Sequence, residues 1–298
     1  MSTTRTTDDV TSVLTPRLTT SADGTPIEYF SIGTGPGIVI VHGTMQSAAS
    51  QSELAGLLAD GFAVHLVNRR GRGRSGAYPA LAEYDPAIEV DDIDAVVRAT
   101  GSVAALGISS GGILVADLGL RRPELTLALF EPALVADGSL DLDGFLARFE
   151  PEVERGDVPA YMVTALLGTQ MGPGFLRLFP RRMLESSTRS MLAKAAGPLP
   201  AGGATMAELA ANVPYDMRIV ASRADRIDEY AALAGRVLLI TAAKSPAYLR
   251  HAVARLAELL PDAPVAVVER AGHSATQNRT DGGRPADVAE AIRRGLGA

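Results

Sequence analysis

The chain has 298 residues, 47% of them hydrophobic and 21% charged, an ordinary composition for a globular protein that buries a full core. A formal net charge of −6 leaves no basic face to outweigh the acidic background, so nucleic acid is not an expected partner. Cysteine is absent, which excludes disulfides, thiolate metal sites and a cysteine nucleophile.

Residues 1–20 are polar and carry no apolar signal core, and no apolar run approaches the length of a membrane span. A soluble, cytoplasmic protein with no membrane partner is therefore expected. Residues 1–14 are assigned to a flexible tail, on the strength of the Thr-rich, apolar-poor stretch 2–9. Residues 18–32, with Asp23-Gly24 in the middle, read as an antiparallel hairpin at a sheet edge. Short runs rich in β-branched residues then recur at 38–41, 64–67, 103–108, 127–130, 237–241 and 265–268. They are continuous rather than alternating, which suits strands buried on both faces of a parallel sheet. Helical spacing fills 52–59, 87–100, 113–121 and 248–260. This alternation predicts an α/β fold with a doubly wound, mostly parallel sheet.

The pattern breaks between residues 137 and 230. There Leu142, Phe145, Leu146 and Phe149 follow the i, i+3, i+4, i+7 helical pattern, and Gly-Pro pairs recur at Gly172-Pro173 and Gly197-Pro198. The stretch reads as a helical insertion, leaving 15–136 and 231–298 as the core.

Gly107-Ile108-Ser109-Ser110-Gly111 comes directly after the strand 103–106 and precedes a helix expected to begin near Gly112. This is the G-x-S-x-G nucleophile elbow in its strand-turn-helix context, with Ser109 centred between the glycines. Serine needs a base to take its proton. Of four histidines, His65 lies inside a strand run, His251 on a helix without a motif, and His42 in the turn after 38–41. His273 follows the last strand run, where the carboxyl ends of the sheet converge, and is the candidate base.

Four segments together resemble the α/β-hydrolase superfamily: His42-Gly43-Thr44, the loop 68–75 running Asn-Arg-Arg-Gly-Arg-Gly-Arg-Ser, the elbow at Ser109, and Gly272-His273. The resemblance spans residues 18–296. It implies an oxyanion hole built from the backbone N–H groups of Thr44 and Ser110. The Arg-rich loop, with Asn68 where relatives usually carry Asp, is expected to brace neighbouring loops. Many relatives place the triad acid in the loop after the seventh strand, but here Ala242-Ala243-Lys244-Ser245-Pro246 contains none. A minority take it from the end of the sixth strand, where Glu131-Pro132 stands. Glu131 is the candidate acid, with Asp137 and Asp228 as alternatives.

The resemblance implies a helical cap at 137–230. Of its apolar residues Phe145, Phe149, Tyr161, Met162, Met171, Phe175, Phe179, Met183 and Met191, most are expected in the core of the cap and some over the site. The expected function is hydrolysis of a small hydrophobic carboxylic ester or lactone through a Ser109 acyl-enzyme, with no cofactor and no metal. A non-hydrolytic lyase or cyclase on the same fold is the alternative, and a catalytically silent binding protein a further one. An epoxide hydrolase or dehalogenase of this fold would place Asp at position 109. A homodimer is left open.

Overall fold

The computed structural model describes residues 14–194, 197–233 and 236–297. Except for Leu14, the tail expected at 1–14 lies outside the described residues. Among the described residues eight strands follow one another along the chain: β1 (Thr15–Thr20), β2 (Pro26–Ile32), β3 (Gly37–Val41), β4 (Ala63–Val67), β5 (Ala104–Ile108), β6 (Thr126–Phe130), β7 (Val237–Ala242) and β8 (Val265–Val268). They form one sheet in the order β1-β2-β4-β3-β5-β6-β7-β8. β2 pairs antiparallel with β1 and β4, and every other pairing is parallel.

Helices α1 (Ser52–Leu58), α2 (Ala87–Thr100) and α3 (Ser110–Arg121) connect the first strands. Five more, α4 (Leu142–Glu154), α5 (Val158–Gly168), α6 (Arg181–Leu192), α7 (Met206–Ala211) and α8 (Val213–Ser222), lie between β6 and β7. Two, α9 (Ala247–Leu259) and α10 (Pro285–Leu296), follow β7.

Alternate residues of the buried strands point to opposite faces. Val39 and Val41 of β3 belong to the buried cluster on one face, with Val90 and Ile93 of α2 and Leu249 of α9. Ile38 and Ile40 belong to the cluster on the other face, with Leu54 of α1 and Val288 and Ile292 of α10. Because both faces are covered, the strands read as continuous apolar runs. The sequence reading had no helix at 285–296, although Pro285, Val288, Ala289 and Ile292 carry the helical pattern with Pro at the first turn. Helix α3 begins at Ser110, two residues before the expected start at Gly112.

The helices between β6 and β7 correct the expectation that their apolar residues are mostly core. Phe145, Phe149 and Tyr161 are buried, with ring centroids 5.1 Å and 5.8 Å apart. Met171, Phe175, Phe179, Met183 and Met191 are exposed. The reason is position: α6, which carries Met183 and Met191, and the turn Gly174–Leu178 before it, beside Phe175 and Phe179, lie outermost with no buried residue, so their apolar side chains lack a second layer to enter. Among the described residues no helix is long and apolar enough to cross a membrane.

Candidate active site

The elbow is a steric construction. Ser109 adopts φ 55° and ψ −121°, a conformation that L side chains rarely take. Its N–H donates to Phe130 O at 3.0 Å, and its own carbonyl accepts from the N–H groups of Gly112 and Ala133. A Cβ on Gly107 would lie 2.6 Å from Gly111 O, and one on Gly111 would lie 2.5 Å from His42 O. Only glycine lets β5, β3 and α3 meet this closely around the turn. Ser110 opens α3, so its N–H is one of the first four of the helix and has no partner within it.

The candidate acid and base meet. His273 Nδ1 lies 2.7 Å from Glu131 Oε2. Glu131, at φ 43° just past β6, is buried and accepts three further bonds. Thr241 Oγ1 and the Ala242 N–H donate to Oε1, and Ser245 Oγ donates to Oε2, each at 2.8 Å. Burial pushes the carboxyl up, but the His273 contact and the Ala242 and Ser245 donors outweigh it and hold the group below the usual range. The loop without an acid thus supplies donors to an acid on the neighbouring strand. The alternatives lie elsewhere. Asp137 and Asp228 have side chains 53% and 77% exposed and both pair with Arg255.

His42 is buried, with Nδ1 3.0 Å from Gly43 O, while Nε2 accepts the Arg69 N–H at 3.3 Å. Those contacts assign the ring proton to Nδ1. Burial, then Arg72 and Arg69, hold its pKa well below the ordinary value, so the ring is neutral. His65, on β4, contacts Ser31 Oγ at 2.9 Å, and burial followed by Arg17 lowers it to about 4. A base depressed in the folded state binds fewer protons than in the unfolded chain. Its stabilising effect is complete above the unfolded value of 6.5 and is lost as pH falls toward the folded one. Wild type should therefore lose urea stability relative to His65→Gln as pH falls from 6.5 to about 4. Parallel midpoints across that window would contradict this.

The arginines of loop 68–75 are mostly internal. Arg69 pairs with Glu89 and Asp216, Arg70 with Asp92 and Asp23, Arg72 with Asp216, and Arg74 with Glu28. Asn68 accepts from the Ala48 N–H and donates to Glu28. No arginine of this loop lines the cavity beside Ser109.

A cavity of about 640 Å³ is lined by Thr44, Ser109 and His273. Phe145, Met162 and Met217 from the inserted helices face it, as does Tyr248 of α9. Among the described residues no group of three or more His, Asp or Glu side chains could hold a metal ion.

The sequence model of the alpha/beta hydrolase family matches residues 38–291. The chain belongs to that family. An alpha/beta hydrolase from Sphaerobacter thermophilus DSM 20745, solved by crystallography, superposes with this α/β-hydrolase at a TM-score of 0.73 and 26% identity. The superposition covers 94% of this chain and 100% of that one. The pimeloyl-[acyl-carrier protein] methyl ester esterase of Sodalis glossinidius (strain morsitans) is 31% identical over 156 residues, 48% of this chain and 58% of that protein. The bifunctional epoxide hydrolase 2 of Sus scrofa is 29% identical over 109 residues, 36% of this chain and 20% of that protein. Both matches span less than two thirds of the relatives' own lengths.

Sequence reasoning missed Thr241, Ser245, Glu89 and Asp216. The first two give no local sign of their role, because the carboxylate they donate to lies on another strand. The last two are isolated carboxylates on helices, and only the fold brings them to Arg69.

Proposed function

We propose that this α/β-hydrolase cleaves a small hydrophobic carboxylic ester or lactone through an acyl-enzyme on Ser109. The observation that carries the proposal is the 2.7 Å contact between Glu131 and His273, beside a cavity that Ser109 also lines. With Nδ1 engaged by Glu131, Nε2 is the His273 nitrogen left to take the Ser109 proton. Oγ then attacks the carbonyl carbon, and the π pair moves onto oxygen. The N–H groups of Thr44 and Ser110 hold that oxyanion. Its collapse breaks the bond to the leaving alkoxide, which takes the proton from His273. Water then adds to the acyl carbon with His273 again as base, releasing the acid and restoring Ser109.

In this proposal the insertion at 137–230 is the cap. Phe145, Met162 and Met217 give an apolar and adaptable wall, and a cavity of about 640 Å³ lies within the usual range for small-molecule sites. The esterase name of the Sodalis relative agrees with this chemistry. The epoxide hydrolase name of the pig relative does not carry over, because this chain has Ser109 where that chemistry on this fold uses Asp.

A panel of p-nitrophenyl esters from acetyl to dodecanoyl, with aliphatic lactones, run in ¹⁸O-water tests the proposal. Cleavage is expected to favour medium acyl chains and to place one labelled oxygen in the acid. Failure to cleave any of them above background would overturn ester and lactone hydrolysis and favour the lyase or cyclase alternative.

A further inference from the structure

Thr44 and Ser110 meet through their side chains. Thr44 Oγ1 donates to Ser110 Oγ at 3.3 Å. Ser110 Oγ also accepts from Arg69 Nη1 at 3.3 Å and donates to Asp216 Oδ1 at 3.0 Å. One donation and two acceptances are the full capacity of a hydroxyl. Arg69 reaches the Thr44 side as well, since its backbone N–H engages His42 Nε2 while His42 Nδ1 engages Gly43 O. Arg69 therefore touches the Ser110 arm of the proposed oxyanion hole with its guanidinium and reaches the Thr44 arm through His42 and Gly43.

Arg69 is itself fixed. Glu89 binds it at 2.7 and 2.9 Å and Asp216 at 2.5 Å, while Asp216 also binds Arg72 at 3.2 Å. All four charged side chains and Ser110 are buried, and the two cations balance the two anions. Burial alone would lower the Arg69 pKa, but Asp216 and Glu89 outweigh it and keep the group charged. Such a cluster serves stability poorly, because apolar side chains of equal volume often do as well or better. What it does supply is fixed geometry. Three of its members sit on core elements, and Asp216 sits on α8, within the insertion.

We infer that Asp216 is a positioning residue: paired with Arg69, it fixes the Ser110 hydroxyl and with it the Ser110 backbone N–H. The oxyanion hole then takes its working shape only when the insertion is seated on the core. The inference rests on Ser109 being the nucleophile. Its sign is distinctive. On electrostatics alone Asp216→Asn would speed the reaction, by removing a negative charge near the developing oxyanion. Loss of position slows it, since misplacement by about 1 Å can cost about 10²-fold.

The test uses the full chain, diisopropyl fluorophosphate and p-nitrophenyl butyrate. Ser110→Ala keeps the N–H and removes the hydroxyl that holds it. Phosphorylation of Ser109 and kcat should both fall roughly 10-fold, a fraction of the loss seen on deleting a donor outright. KM and Tm should stay near wild type. Asp216→Asn should slow both steps at least as much, with a lower Tm because two buried arginines lose a charged partner. Wild-type rates in Ser110→Ala, or losses in that variant that appear in KM or track a falling Tm, would overturn the positioning role. If wild type itself is never phosphorylated at Ser109, the nucleophile assignment fails and the inference falls with it.

Discussion

Ser109→Ala should leave the fold intact and lower ester turnover by roughly 10⁶, the loss seen when a hydrolase of this type loses its nucleophile. The strained backbone is set by Gly107, Gly111 and the contacts of β3, none of which the substitution touches. Alanine occupies the same φ and ψ at similar energy, so Tm should move little. What disappears is the oxygen that forms the covalent bond. The remainder, from binding and the oxyanion hole, should still exceed the rate in water by roughly 10³. A kcat measurement on p-nitrophenyl butyrate beside a melting curve checks both halves, and a variant that keeps full activity would sink the assignment.

Glu131→Gln is expected to be the next largest loss, up to roughly 10⁴ in kcat by analogy with other triads. The carboxylate is buried and accepts from His273, Thr241, Ala242 and Ser245. A carboxamide turns one of its two acceptor atoms into a donor, so one pair of these partners faces a donor instead. Either His273 loses its orientation or the Thr241–Ala242 pair loses its acceptor. The charge that would stabilise the imidazolium is lost in both cases. Asp137→Asn and Asp228→Asn, which disturb only exposed contacts, to His251 and Arg255 for the first and to Arg255 for the second, should remain within a few-fold of wild type. Stability gives a second readout. A carboxyl held below its usual value contributes stability above about pH 4.5 and loses it as pH falls. The gap in urea midpoint between wild type and Glu131→Gln should therefore narrow on acidification from that point. A near wild-type Glu131→Gln alongside an inactive Asp137 or Asp228 variant would mean that the acid is another residue.

The sheet was legible because burial on both faces leaves continuous apolar runs, and observed strand ends differ from the sequence reading by one residue at most for β3 to β8. The elbow was legible because its glycines answer to local sterics. Glu131 could be singled out from the empty loop 242–246, but the roles of Thr241 and Ser245 could not, since their target lies on another strand. Asp216 was hidden for a related reason: on α8 it looks like any helical acid, and its partners stand 147 and 144 positions away. The exposure of Phe175, Phe179, Met183 and Met191 was equally out of reach. A helical stripe records which residues share a face, not whether another layer covers it.

The most direct test of Ser109 as the nucleophile is a peptide map after inactivation by a p-nitrophenyl alkylphosphonate, with ester turnover followed in the same sample. The expected result is one adduct, on Ser109, accumulating in step with the loss of turnover and slowed by an ester substrate. An adduct on Ser110, or a fully modified protein that still cleaves the ester, would contradict it.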